Sequence, residues 1–196
     1  MQKFMLMLHA TPFSLFLLAC IPTVQAQVTE PSAGRSSAQV VDFILDIQER
    51  RVVEMAEVMP AGKYAFAPSG DGFQSVRTFG GQLRHIAADN YLLGAGMLGE
   101  NPPADVGTGE NGSDNARTKS EIIDYVKASF TYMHRAVSSI DDENMPIPTP
   151  RISPWPKGTA TRLGLALEDC VHTWDHYGQL VEYLRMNGIV PLESRK

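Results

Sequence analysis

Residues 118–140, TKSEIIDYVKASFTYMHRAVSSI, form the clearest amphipathic pattern of the chain. Thr118 and Glu121 have the spacing of a capping box, in which each side chain satisfies a backbone amide of the other residue. Apolar residues then recur every three or four positions, at Ile122, Val126, Phe130, Met133, Val137 and Ile140. This period predicts a helix that buries one face.

Three further segments repeat the same period and end at helix stop signals. We predict helix one over residues 38–59, helix two over 75–98 and helix four over 159–187, with Gly188 as a left-handed stop. No segment convincingly predicts a β-strand. Because four amphipathic helices bury their apolar faces by packing together, the sequence predicts an all-α four-helix bundle.

Long connections separate the predicted helices. Residues 60–74 combine aromatic residues with glycine and proline, and residues 100–117 are polar and glycine-rich. Residues 141–158 contain five prolines, which exclude regular helix. Helix two itself contains several glycines, which we expect where neighbouring helices approach closely: Gly80, Gly81, Gly94 and Gly96.

The amino terminus has the pattern of a secretory signal. Lys3 precedes an apolar stretch that runs to Ile21, and small residues at Val24 and Ala26 suit cleavage after Ala26. We therefore predict a signal peptide at 1–26 and an exported protein, either periplasmic or secreted. A membrane anchor and lipidation at Cys20 remain alternatives for this segment.

The mature chain is expected to contain three parts. A flexible tether over residues 27–37 precedes the bundle at 38–192, and residues 193–196 form a carboxyl-terminal tail. Removal of the signal leaves Cys170 as the single cysteine, so no intramolecular disulfide forms. The formal net charge of −5 is spread without basic blocks, which argues against nucleic acid and anionic lipid as partners. No stable membrane span is expected once the signal is removed.

Three histidines are candidates for metal binding. His172 and His176 are four residues apart on helix four, so both imidazoles can reach one ion. His85 lies among apolar residues of helix two, where its ring needs a partner. That partner is either a carbonyl or carboxylate, or an ion shared with the other two rings. His134, on the flank of helix three, is predicted to be a surface or boundary residue.

Two motifs resemble the DinB-like family of metal-binding four-helix bundles. The first runs from Val76-Arg77-Thr78-Phe79-Gly80 to His85-Ile86-Ala87 and Asn90-Tyr91, and the second is HTWDHYGQL at 172–180, followed by Tyr183-Leu184-Arg185 and Gly188. The resemblance implies that His85, His172 and His176 bind the metal, with water or substrate completing its shell. It also implies a possible homodimer, and in some members group transfer to or from small thiols.

Three nitrogen ligands suit zinc best, while nickel and iron(II) are also compatible. The ion would serve a hydrolase or a thiol-type transferase acting on an unknown small molecule; the alternative is a non-catalytic bundle with a structural metal. Thr173 stands where a zincin has its glutamate, which argues against a metalloprotease. Helical phase directs Cys170 away from His172. The same phase makes three carboxylates weak candidates for a catalytic base or for orienting the histidines: Asp169, Glu168 and Asp89.

Overall fold

A computed structural model describes residues 34–146 and 160–195. It contains four α-helices: α1 (Ser37–Val58), α2 (Phe79–Leu98), α3 (Lys119–Ser138) and α4 (Arg162–Met186). Short 3-10 helices follow at Ala61–Lys63, Thr108–Glu110 and Leu192–Ser194. The described residues contain no β-strand, which confirms the predicted all-α four-helix bundle.

Several predicted features lie outside the described residues. These are the signal peptide with its cleavage point after Ala26, the lipidation site at Cys20, most of the tether and most of the proline-rich connection between α3 and α4. Within residues 34–146 and 160–195, no helix combines the length and apolarity needed to cross a bilayer.

Side-chain caps explain where three of the helices begin. In α3, Glu121 N donates to Thr118 Oγ1 over 3.3 Å, and Thr118 N donates to the Glu121 carboxylate over 2.8 Å, as the predicted capping box requires. Ser36 and Gln39 form a second capping box at the start of α1. In α4, the Thr161 hydroxyl accepts from Gly164 N over 3.1 Å.

The second helix begins four residues later than the predicted start near Ser75. Ser75 has a positive φ of 67°, which interrupts helical geometry before the apolar pattern is established. Thr78 then serves as the cap, with its hydroxyl accepting from Gly81 N over 3.0 Å. Phe79 N donates to the carbonyl of Phe66 over 2.8 Å, so the preceding aromatic loop also fixes this helix end.

Each helix packs mainly against two others. The helix α2 lies between α3 and α4, and α1 contacts the same two helices from the opposite side. Close approach explains the glycine at position 94, because an added Cβ there would lie 2.8 Å from the Tyr132 ring. The largest fully buried apolar side chains fill the space between the four helices: Phe79, Phe130, Leu45, Met59, Leu83, Ile86, Met97, Met133, Leu165, Leu180 and Leu184.

Candidate metal centre

The contact between α2 and α4 places the three predicted histidines together. Gln82 Nε2 on α2 donates to Gln179 Oε1 on α4 over 2.6 Å. Tyr183 Oη on α4 also donates to the carbonyl of Arg77, two residues before α2, over 3.1 Å. These two hydrogen bonds fix the helices against each other close to His85, His172 and His176, which we call the central cluster.

The same ring atom of each histidine points to a common position. His172 Nε2 lies 3.0 Å from His85 Nε2 and 2.9 Å from His176 Nε2. His85 and His176 are buried, while His172 is partly exposed and forms the solvent side of the cluster. Two helices therefore hold three nitrogen donors within the reach of one ion.

A carboxylate lies beside the central cluster. Asp89, one turn after His85 on α2, places Oδ2 2.8 Å from His172 Nε2 and 3.9 Å from His85 Nε2. The carboxylate therefore approaches the donor atoms themselves, whereas an orienting carboxylate would contact the opposite ring nitrogen. Of the three predicted carboxylates, Asp89 is the one that lies beside the Nε2 atoms.

Burial keeps His176 neutral. Desolvation, followed by the neighbouring charges of His172 and His85, lowers the pKa of His176 to about 4. At neutral pH this ring therefore carries no charge, and one nitrogen has a lone pair available. A neutral imidazole is the form that binds metal ions.

Asp169 occupies the bundle core behind the cluster. Its side chain is fully buried, and Asn90 Nδ2 donates to Asp169 Oδ1 over 3.1 Å in the amide orientation that also satisfies the Ile86 carbonyl. Burial, with a smaller contribution from Asp89, raises the pKa of Asp169 to about 7, although His172 acts in the opposite direction. Glu168, the third candidate, is half-buried and makes no hydrogen bond or ion pair with the described residues.

Two other side chains of α4 are buried and therefore do not react with solvent. Thr173, at the position of the zincin glutamate, is fully buried. Burial, and next the charge of Asp169, raises the pKa of the Cys170 thiol to about 12. The thiol therefore stays protonated at neutral pH, in keeping with its predicted direction away from the cluster.

His134 lies on α3 and contacts α1 instead of the central cluster. It is half-buried, as expected of a boundary residue, but it has acidic neighbours that the sequence interpretation missed: Asp42, Asp46 and Glu49. Their spacing of four and three residues places them on one face of α1, a signal that was available in the sequence.

A family model described as the DinB superfamily matches residues 44–180. The chain belongs to the DinB superfamily. A crystal structure of a conserved protein from Enterococcus faecalis has a similar fold, with a TM-score of 0.59 and 16% identity over 78% of this chain and 98% of that chain. At this identity the likeness supports the fold alone. A search of curated proteins finds no match.

The residues present fit the metal that the DinB-like resemblance implies. Nitrogen donors around a tetrahedral zinc are separated by about 3.3 Å, given metal–nitrogen distances of about 2.0–2.1 Å. The Nε2 separations of 2.9 and 3.0 Å are close to this value. The buried histidine group could therefore hold a metal ion with little rearrangement.

Proposed function

We propose that this DinB-superfamily protein binds one divalent metal, zinc above others, through Nε2 of His85, His172 and His176. The observation that supports the proposal is the convergence of these three atoms from two helices. The proposed activity is that of a metal-dependent hydrolase or thiol-type transferase for a small molecule. An ion held by neutral ligands keeps its double charge, so it lowers the pKa of a coordinated water or thiol and polarises a carbonyl.

The protein side chains would divide the remaining work. Partly exposed His172 marks the side from which a substrate can approach, since His85 and His176 are both buried. The Asp89 carboxylate, 2.8 Å from His172 Nε2, is placed to accept a proton from a nucleophile held beside it. Asp169 would contribute indirectly, because its hydrogen bond with Asn90 joins α4 to α2, the two helices that position the cluster.

The surrounding side chains also restrict the reaction class. Thr173 offers no carboxylate and is fully buried, so a zincin-type protease mechanism has no base at that position. Cys170 is buried with a raised pKa, which argues against a protein thiolate as the nucleophile. A thiol in the reaction would therefore come from the substrate side.

A structural metal is the second candidate function. It is favoured by the burial of His85 and His176, whose relative exposures are 5% and 7%. In that case the ion would join α2 to α4 without meeting a substrate. The two candidates differ in whether one coordination position remains open.

The visible spectrum of the cobalt-substituted protein distinguishes the two candidates. For an open site we expect added azide or a small thiolate to change the ligand-field bands, because an exogenous ligand enters the open position. A spectrum that does not respond to either ligand would contradict the catalytic proposal. His172→Ala provides the matched comparison, since it removes the ligand on the exposed side.

Export is a separate part of the proposal. It is supported by the basic, apolar and small-residue pattern of the first 26 residues. Amino-terminal sequencing of protein recovered from the periplasmic or secreted fraction should begin at Gln27. A lipid-modified Cys20 at the amino terminus, or retention of Met1, would contradict cleavage after Ala26.

A further inference from the structure

A second group of potential metal ligands lies on the opposite pair of helices. His134 on α3 faces Asp42, Asp46 and Glu49 on α1, and we call these four residues the lateral cluster. One ligand atom from each of Asp46, Glu49 and His134 lies within 4.8 Å of the others. This set combines one imidazole with two carboxylates, unlike the nitrogen-rich central cluster.

The two ring nitrogens of His134 have different surroundings. His134 Nδ1 lies 2.6 Å from Asp42 Oδ1, which is a short hydrogen-bond distance. His134 Nε2 lies 3.2 Å from Glu49 Oε2 and 3.7 Å from Asp46 Oδ1. A carboxylate on one nitrogen with further oxygen donors around the other is the arrangement by which proteins orient a metal-binding histidine.

This geometry requires a positive species next to Nε2. If Nδ1–H donates a hydrogen bond to Asp42, Nε2 of the neutral ring carries a lone pair that faces the carboxylates of Asp46 and Glu49. The lone pair and the carboxylate oxygens are all hydrogen-bond acceptors and repel one another. Either a proton on Nε2 or a bound cation removes the repulsion. A proton gives only a hydrogen bond to one carboxylate, whereas a divalent ion binds the nitrogen and both carboxylates at once.

The charge balance of the lateral cluster favours the cation. Three carboxylates face one imidazole, and every salt bridge that Asp42, Asp46 and Glu49 make among the described residues is with His134. Even a protonated ring therefore brings one positive charge to three carboxylates. Arg35 lines the adjacent surface cleft with its Cζ 4.7 Å from the ring centre of Phe43, and it forms no salt bridge with these carboxylates among the described residues.

The cluster is also open to ions from solvent. Asp42 and Asp46 line a surface cleft of about 280 Å³, and the Asp46 side chain is 63% exposed. His134 is 22% exposed, so its ring is held by the helices while the carboxylates meet water. An ion bound here can therefore keep water molecules in its remaining positions.

We infer that Asp46, Glu49 and His134 form a second divalent metal site between α1 and α3, with Asp42 positioning the histidine. One nitrogen and two carboxylate oxygens suit a first-row transition ion such as zinc or manganese, while calcium and magnesium prefer oxygen ligands alone. The inference does not depend on the central cluster, because no residue is shared between the two sites.

Titration of the metal-free protein with zinc chloride, followed by calorimetry, tests the second site. The wild type should bind two equivalents, and His134→Gln and His176→Ala should each bind one. Asp46→Asn should weaken the lateral equivalent by about tenfold or more, and because this side chain is largely exposed the fold is not at risk. Asp42→Asn should retain the stoichiometry and lose roughly 10–100-fold in affinity.

Asp124→Asn is the matched control, since Asp124 is an exposed acidic residue on the same helix α3. It should leave both equivalents unchanged. A wild type that binds one equivalent, lost in His176→Ala and retained in His134→Gln, would overturn the second site and leave the central one intact. One equivalent lost only in His134→Gln would support the lateral site and contradict the central one.

Discussion

The central and lateral clusters use the same residue type in opposite environments. At the centre, burial keeps His176 neutral, and three ring nitrogens supply most of the donors. At the side, a half-exposed histidine is surrounded by carboxylates that carry more negative charge than its ring can balance. Burial therefore favours neutral imidazole donors at the centre, because a buried carboxylate costs much more free energy than an exposed one unless it is paired, as Asp89 is with His172.

The strongest way to separate the two clusters is to remove one buried ligand. His176→Ala should abolish stoichiometric central metal, with an affinity loss of about 10³-fold or more, since two imidazoles hold zinc poorly. Elemental analysis after dialysis against a weak chelator measures the loss. His134→Gln is the control that removes a histidine elsewhere, and it should keep the central ion. Full retention of that ion by His176→Ala would disprove the ligand assignment.

Asp89, the carboxylate beside the central cluster, can be compared with the carboxylates of the lateral cluster. Asp89→Asn should retain the central ion with an affinity reduced by roughly 100-fold, because the amide keeps the shape and loses the charge. Competition with a chromophoric chelator measures this change. Glu168→Gln changes a nearby α4 carboxylate that contacts none of the cluster, so it should leave the affinity unaltered. Equal affinities for Asp89→Asn and the wild type would exclude Asp89 from the site.

The pH dependence of the metal-free protein tests the cost of burying a carboxylate. The folded-state pKa of Asp169, about 7, lies above its ordinary value of 3.8. Between these values the folded state binds more protons than the unfolded state, so Asp169 makes the free energy of unfolding fall as pH rises. Asp169→Asn removes this titration, and because raising a pKa from 3.8 to about 7 corresponds to roughly 4 kcal/mol, the variant should gain on the order of 4 kcal/mol relative to wild type between pH 4 and pH 8.

Urea unfolding at several pH values measures that difference. His176 has the opposite sign, because its lowered pKa makes the folded state bind fewer protons and stability rise with pH in the acidic range. This contribution is common to both proteins and cancels in the comparison. A difference that stays constant with pH would show that Asp169 remains ionised throughout.

The smallest expected effect concerns an ion pair that also joins α1 to α3. Lys127 Nζ lies 3.0 Å from Glu57 Oε1, and both side chains are about half exposed. Because solvent screens such pairs, Glu57→Gln should cost about 0.5 kcal/mol or less. Thermal unfolding measures the cost, and zinc titration should show no lost equivalent. A lost equivalent would mean that the α1–α3 surface binds metal through more than the lateral cluster.

Much of the bundle could be predicted from local sequence signals. The Thr118–Glu121 capping box fixed the start of α3, and Gly188 takes the expected left-handed conformation with φ of 74°. The start of α2 could not be predicted in the same way. The positive φ of Ser75 depends on the surrounding loop, and the sequence of this stretch does not indicate it.

The site was predictable where residues are close in sequence or belong to a family motif. His172 and His176 follow from helical spacing, and His85 joined them through the DinB-like resemblance. Helical phase directed Asp169 towards the site, yet the structure places it in the core against Asn90, because phase gives a direction and no depth. The lateral cluster could not be predicted in this way, because it requires α1 and α3 to be neighbours. Which helices are neighbours depends on the packing of all four.

One hydrogen bond inside the bundle has a consequence for how the candidate metal centre assembles. Gln48 of α1 is buried, and its Nε2 donates to the carbonyl of Cys170, two residues before His172. This bond restricts the rotation of α4 about its own axis just before His172 and His176. The free-energy cost of aligning the donor atoms is thereby met during folding, so an arriving ion would meet a preorganised set of ligands.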